Sequence, residues 1–68
     1  MRISADYRDP AYKTTDPKKR YKIFLDGALV PWVITADDEL GVVVHITETL
    51  DKTWAIVESK GAVKIFSE

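Results

Sequence analysis

Three turn signals set the spacing of everything else in this chain. Asp26-Gly27, the run Asp37-Asp38-Glu39-Leu40-Gly41 and Ser59-Lys60-Gly61 interrupt stretches rich in Val, Ile, Thr and aromatic residues. Asp-Gly between strand-like runs is a strong hairpin signal, and punctuation at intervals of roughly 8–12 residues argues for many short strands. The expected fold is therefore all-β: a small antiparallel sheet or an SH3-like barrel, spanning residues 21–68. Residues 1–20 have a different texture. They show no apolar periodicity, Pro10 and Pro17 push their preceding residues towards extended backbone, and "TTDPKK" reads as a loop. This segment is expected to be an extended, basic N-terminal arm. Ile3, Tyr7 and Tyr12 suit it for docking, since a tyrosine offers a large apolar face while its hydroxyl stays wet.

Alternation assigns faces within the body. Tyr21, Ile23 and Leu25 share one side of their strand, with Lys22 and Phe24 on the other. Val42, Val44 and Ile46 oppose Val43 and His45, and Val63 and Ile65 point inward while Lys64 points to solvent. The run "ALVPWVI" is apolar on both faces. Pro31 cannot donate to a ladder, so this strand is an edge or carries a bulge at that point. An apolar edge with Trp32 beside its irregular residue is a plausible docking site. The stretch 47–58 has two readings. Leu50, Trp54 and Val57 fall at helical spacing behind a capping Thr47 or Thr49, whereas the β-branched Thr53, Ile56 and Val57 favour a strand.

Size limits what such a chain can be. A domain of about 60 residues buries only roughly 60% of the surface its unfolded chain exposes. Its usual staples are disulfides, a metal or a partner. The 68 residues contain no Cys and one His, which removes disulfides and thiolate zinc sites and disfavours a His-based metal site. No apolar run approaches the roughly 18–20 residues of a membrane span. The opening "MRISADYRDP" lacks the apolar core of a signal peptide. The expectation is a soluble, unexported protein without membrane contact.

The net charge of −1 hides an asymmetry. Residues 1–22 hold seven cations against three acids, net +4; residues 23–68 hold three cations against eight acids, net −5. Such a split between chain halves points to an interaction tail.

Candidate chemistry is sparse. Asp37, Asp38 and Glu39 could in principle bind a hard cation or do acid–base work, but the run lacks the alternate spacing of a calcium loop. It reads instead as a hairpin tip, with Gly41 supplying positive φ. As an exposed concentration of negative charge, the triplet is a contact candidate. His45 has no nucleophile at a suggestive spacing and reads as a half-buried strand residue. In "DPKKRYK", the cations Lys18, Lys19 and Arg20 beside Tyr21 could meet phosphates and a base, yet the acidic body argues against a dedicated nucleic-acid binder. They read either as a solvated linker or as a protein-docking segment: a basic, Tyr-bearing arm lying across the acidic body of a neighbour would build rings or lattices. No catalytic residue, metal or cofactor is expected, and a body of this size has little volume for an enzyme's pocket.

The motifs "IFLDG" (23–27), "V-x-T-A-D-D-E-x-G" (33–41) and "G-x-V-K-I" (61–65) resemble those of small β-rich proteins encoded by tailed bacteriophages among virion morphogenesis genes. The likeness covers most of residues 23–66 and omits the arm; the loop "TETLDK" matches no such pattern. What it implies is a virion role and no catalytic residue. On that resemblance the chain is expected to be a non-enzymatic structural protein, a capsid decoration or cement protein or a head–tail component. It would be found in the virion and in the host cytoplasm during assembly. The expected contact residues are Tyr7, Tyr12, Lys18, Lys19, Arg20, Trp32, Asp37, Asp38 and Glu39, and the expected partner is a capsid or head–tail protein, with the chain present as a homo-oligomer or in many copies. The alternative is a small phage-encoded inhibitor or regulator of a host protein or nucleic acid.

Overall fold

A computed structural model describes residues 1–67. It contains seven strands and one short 3₁₀ helix, Pro10–Lys13. The strands are β1 (Arg2–Ser4), β2 (Tyr21–Leu25), β3 (Ala28–Leu29), β4 (Val33–Asp37), β5 (Val42–Glu48), β6 (Trp54–Lys60) and β7 (Val63–Ser67). They form two antiparallel sheets, a four-stranded one in the order β1-β4-β5-β6 and a three-stranded one in the order β3-β2-β7. No ladder joins the two sheets into a closed barrel among the described residues. The fold is all-β, as the turn spacing implies, and no described helix is long and apolar enough to cross a membrane.

Each hairpin follows from its turn residues. Asp26 and Gly27 both take positive φ, +50° and +84°, between the paired Leu25 and Ala28. This is the two-residue turn whose twist matches the strands it joins. Between β4 and β5, the Asp37 carboxylate accepts from the backbone N–H of Glu39 at 2.9 Å and of Leu40 at 3.0 Å, which folds the acidic run back on itself. Gly41 then takes φ +67°, and a Cβ there would lie 2.5 Å from the Gly61 carbonyl oxygen, so the site excludes a side chain twice over. Between β5 and β6 the turn is held by Thr49, Asp51 and Thr53, with Lys52 at φ +66°. The stretch 47–58 is therefore strand, turn and strand; its helical spacing is incidental.

The run "ALVPWVI" divides where one strand was expected. Val30 still pairs back to β2 through its N–H to the Ile23 carbonyl at 2.9 Å, but β3 ends at Leu29 and β4 begins at Val33 in the other sheet. Pro31, without an N–H, and Trp32, at φ +53°, carry the chain across. The expected bulge lies just beyond: Val33 pairs with His45 and Thr35 with Val44, leaving Ile34 as the extra residue.

The N-terminal segment also departs from expectation, because the first residues of the supposed arm belong to the body. Arg2, Ile3 and Ser4 pair with Asp37, Ala36 and Thr35, and the Ala5 N–H continues the ladder to the Ile34 carbonyl at 2.7 Å. Three residues are too few to display a strand period, so the sequence conceals this element. Ile3 lies in the core with Ile23, Ala36, Val43 and Val63, and Tyr21, Leu25, Val30, Val33 and Ile65 pack around them. Beyond β1, Asp9 caps the 3₁₀ helix by accepting from the Ala11 N–H at 2.9 Å, and Ala11 is buried. The Thr15 hydroxyl accepts from the Ser4 N–H at 3.0 Å and donates to the Ala11 carbonyl at 2.7 Å, tying the loop to the strand. The hydroxyls of Ser4 and Thr35, both buried, pair with each other at 2.7 Å.

Ile3→Ala is expected to destabilise the domain by about 2–5 kcal/mol, as deletion of buried methylenes does. Tyr7→Ala, at an exposed position, is expected to stay within about 0.5 kcal/mol of wild type. Urea unfolding of the two variants checks this, and an Ile3→Ala curve superimposed on wild type would make residues 1–5 a true appendage.

Candidate docking surface

The inner and outer faces of the four-stranded sheet are set by alternation along β5 and β6. Val43, His45 and Thr47 share the inner face with Ser59, Val57 and Ala55; Val42, Val44, Ile46 and Glu48 share the outer face with Lys60, Glu58, Ile56 and Trp54. Inside, His45 Nε2 meets the Ser59 hydroxyl at 3.0 Å, and His45 is a half-buried strand residue as its position suggests. The outer face has no covering layer from the second sheet. Trp54 and Ile56 remain 56% and 68% exposed there, although both are large and apolar.

Trp32 completes this face. Its ring meets Trp54 edge-to-face with centroids 4.9 Å apart and planes at 73°, yet it keeps 62% of its surface exposed. Edge-to-face packing sets the edge of one ring against the face of the other, and more than half of each tryptophan remains open to solvent. Positive φ at a bulky residue is an outlier that costs about 1–2 kcal/mol. The conformation is held by the bulge that follows and by the Trp32 carbonyl, which accepts from the Ile46 N–H at 3.1 Å. Backbone strain of this kind concentrates where the surrounding structure fixes it for a function.

Trp32, Trp54 and Ile46 line one shallow hollow. Ile46 is directly across from Ile56, and Ile56 lines the adjoining groove with Val44, Ile34, Tyr7 and Arg8. An apolar strip thus runs from the two tryptophans over Ile46, Ile56, Val44 and Ile34 into a groove that Arg2, Asp6, Asp9 and Thr35 also line and that ends at Tyr7, which is 79% exposed. Its far end is polar: Arg8 holds Asp6 through two hydrogen bonds at 3.1 Å, an exposed pair that lowers the Asp6 carboxyl.

Of the residues singled out from sequence, Trp32 and Tyr7 share this strip. Tyr12 and Lys19 lie elsewhere, around an open cleft that also includes Tyr21 and Lys13. Lys18 and Arg20 are exposed in the loop before β2, and neither makes an ion pair among the described residues. Trp54, Ile46 and Ile56 were missed. The signal that finds them is the period of two in "WAIVESK", which sets Trp54, Ile56, Glu58 and Lys60 on one face once the helical reading is set aside.

The acidic run divides: Asp38 and Glu39 are exposed at the hairpin tip, and Asp37 is buried beneath it. The Asp37 carboxylate accepts from Arg2 at 3.2 Å as well as from its own turn. Asp38 lies 2.6 Å from the Met1 ammonium, which is also 3.5 Å from Glu39. The N-terminal cations do meet these acids, within one chain. Arg2 bridges two carboxylates, reaching Asp9 at 2.7 Å on its other side. Its hydrogen bonds pull Asp9 below the usual carboxylate range. Asp37 is lowered chiefly by the Leu40 N–H, with Arg2 adding to it. Among the described residues no three of His, Asp and Glu come together in a way that could hold a metal ion.

No protein-family model, curated protein or solved structure matches this chain. The likeness to small tailed-phage proteins rests on its three short motifs.

Both Asp9 and Asp37 are lowered, so the stability their pairing with Arg2 contributes is fully present above the ordinary aspartate pKa of about 4 and is lost as pH falls through the lowered values. Arg2→Met is therefore expected to destabilise the protein at pH 7, with the deficit against wild type shrinking in strong acid. Thermal melts of both proteins at pH 7 and at pH values below 4 check this; a deficit that grows on acidification contradicts the assignment.

Proposed function

We propose that this chain is a non-enzymatic docking protein that binds a repeated protein surface through the outer face of its four-stranded sheet. One observation carries the reading: two exposed tryptophans in contact, one held at positive φ, open an apolar strip that the fold does not use. Tryptophan anchors ringed by lesser contacts are the usual source of binding energy at protein interfaces. The resemblance to tailed-phage proteins supports the more specific form of the proposal. In that form the chain decorates a capsid or joins head to tail, is made in the host cytoplasm and is retained in the virion. Many copies on a repeating lattice would let individually modest contacts add up.

A second reading has one observation in its favour. Tyr12 and Tyr21 flank a cleft with Lys13 and Lys19, which suits phosphate contact with base stacking and hence a regulator acting on nucleic acid. Binding through that cleft would weaken steeply with salt; docking through the tryptophan strip would not.

Trp32→Gly separates docking from folding. Glycine relieves about 1–2 kcal/mol of backbone strain, which roughly offsets an aromatic pair of about 0.5–1.5 kcal/mol. The variant is expected to melt near wild type while its affinity for purified particles falls about thirtyfold or more, the loss expected of a hot-spot anchor. Unchanged cosedimentation with particles would refute this docking surface.

A further inference from the structure

The two edges of the four-stranded sheet are unequal. β1 is three residues long and touches the 3₁₀ helix, whereas β6 presents seven residues, Trp54–Lys60, and among the described residues has a partner strand on one side only. The ladder shows which of its backbone groups are unused. The hydrogen bonds flanking the β5–β6 pairing join Thr49 N–H to the Thr53 carbonyl at 2.7 Å and Gly61 N–H to the Gly41 carbonyl at 2.9 Å. Both continue the β5–β6 register, and hydrogen-bonded pairs recur at every second residue of an antiparallel ladder. Ala55, Val57 and Ser59 therefore turn their backbone groups to β5. Trp54, Ile56, Glu58 and Lys60 direct theirs away from the sheet. This edge carries neither proline nor bulge, two of the devices that blunt such strands; its charged residues, Glu58 and Lys60, are opposite in sign.

We propose that β6 pairs antiparallel with β6 of a second copy of this chain, about a two-fold axis through Val57. In that register Trp54 faces the partner's Lys60, and Ile56 faces the partner's Glu58. Each of the four outward-directed residues on either strand gains a backbone partner. A register centred on Ile56 leaves Lys60 beyond the end of the partner strand. One centred on Glu58 strands Trp54 and sets two carboxylates face to face, which is unfavourable directly across a ladder. The Val57 register alone uses the whole edge, and it brings an ammonium to an indole. A strand that completes itself in this way makes a second copy the natural occupant.

A two-fold axis normal to the sheet keeps both outer faces on the same side. The dimer is then one eight-stranded sheet displaying two Trp32–Trp54 pairs on one surface. Self-pairing uses backbone edges and stands independently of what the tryptophan strip binds; if that strip docks, the dimer makes it bivalent.

Sedimentation equilibrium of the whole chain tests this. Wild type is expected to show a monomer–dimer equilibrium. Glu58→Pro removes an outward N–H and leaves the β5 ladder intact, so it is expected to be a folded monomer by circular dichroism. Ile56→Glu places like charges opposite each other at two symmetric points and is expected to raise the dimer Kd about tenfold. Ile56→Lys places unlike charges there and is expected to hold or lower it. If Glu58→Pro does not fold, the two Ile56 variants decide the matter. A wild type that stays monomeric at millimolar concentration overturns the proposal, as does a folded Glu58→Pro dimer or an Ile56→Lys variant that weakens as much as Ile56→Glu.

Discussion

Everything in this structure follows from the narrowness of its core. Ile3, Ala36 and Val43 form one cross-strand row in the four-stranded sheet, and Ile23 and Val63 meet it from the three-stranded sheet. Ala36 and Val43 have no exposed surface at all, yet no aromatic ring is fully enclosed. Apolar burial is the main favourable term in folding, and the aromatic side chains carry the largest payload. A domain that leaves most of its rings outside forgoes that stabilisation. Short-range devices compensate: a two-residue Asp-Gly turn, the Asp37 carboxylate closing its own turn, the Arg2 bridge, and the hydroxyl links that bind residues 4–15 to the sheet.

The same narrowness gives the surface its character. Phe24 and Phe66 pair edge-to-face at 5.6 Å on the outer side of the three-stranded sheet, as Trp32 and Trp54 do on the four-stranded one. The two aromatic pairs therefore mark the outer faces of both sheets. They differ in backbone. Phe24 and Phe66 lie in regular strands, whereas Trp32 is held at positive φ by a bulge and a carbonyl bond. A fold that needed only to cover apolar surface would have no reason to maintain that conformation. That contrast is what favours the tryptophan face over the phenylalanine face in the proposed docking role.

Much of the fold was legible in the sequence because its signals are local. Asp26-Gly27 and Gly41 announced their hairpins, and alternation placed Ile23, Val43 and Val63 correctly with respect to their neighbours. The failures are physical in kind. β1 is too short to show a period, and its place is fixed by pairing with residues more than thirty positions away. The run 28–34 looks like one strand because both of its halves are apolar, and only the chain crossing at Pro31 and Trp32 separates them. The site was half legible. Trp32 was flagged by the proline beside it, but its neighbours Ile46, Trp54 and Ile56 come from two other strands, and only strand register brings them together. The acidic triplet was legible as a hairpin tip, but not its division: Asp37 is buried in the turn beside Arg2, while Asp38 and Glu39 are exposed near the Met1 ammonium.

The proposed docking role requires that both tryptophans, 62% and 56% exposed, be open to a partner in solution. Tryptophan fluorescence of the native protein, with iodide as quencher, tests it most directly. Red-shifted emission with both indoles accessible to iodide is expected in the free protein, and a blue shift with protection when purified particles are added. Native emission that is already blue and resistant to iodide would contradict it, as would emission and quenching left unchanged in protein that cosediments with the particles.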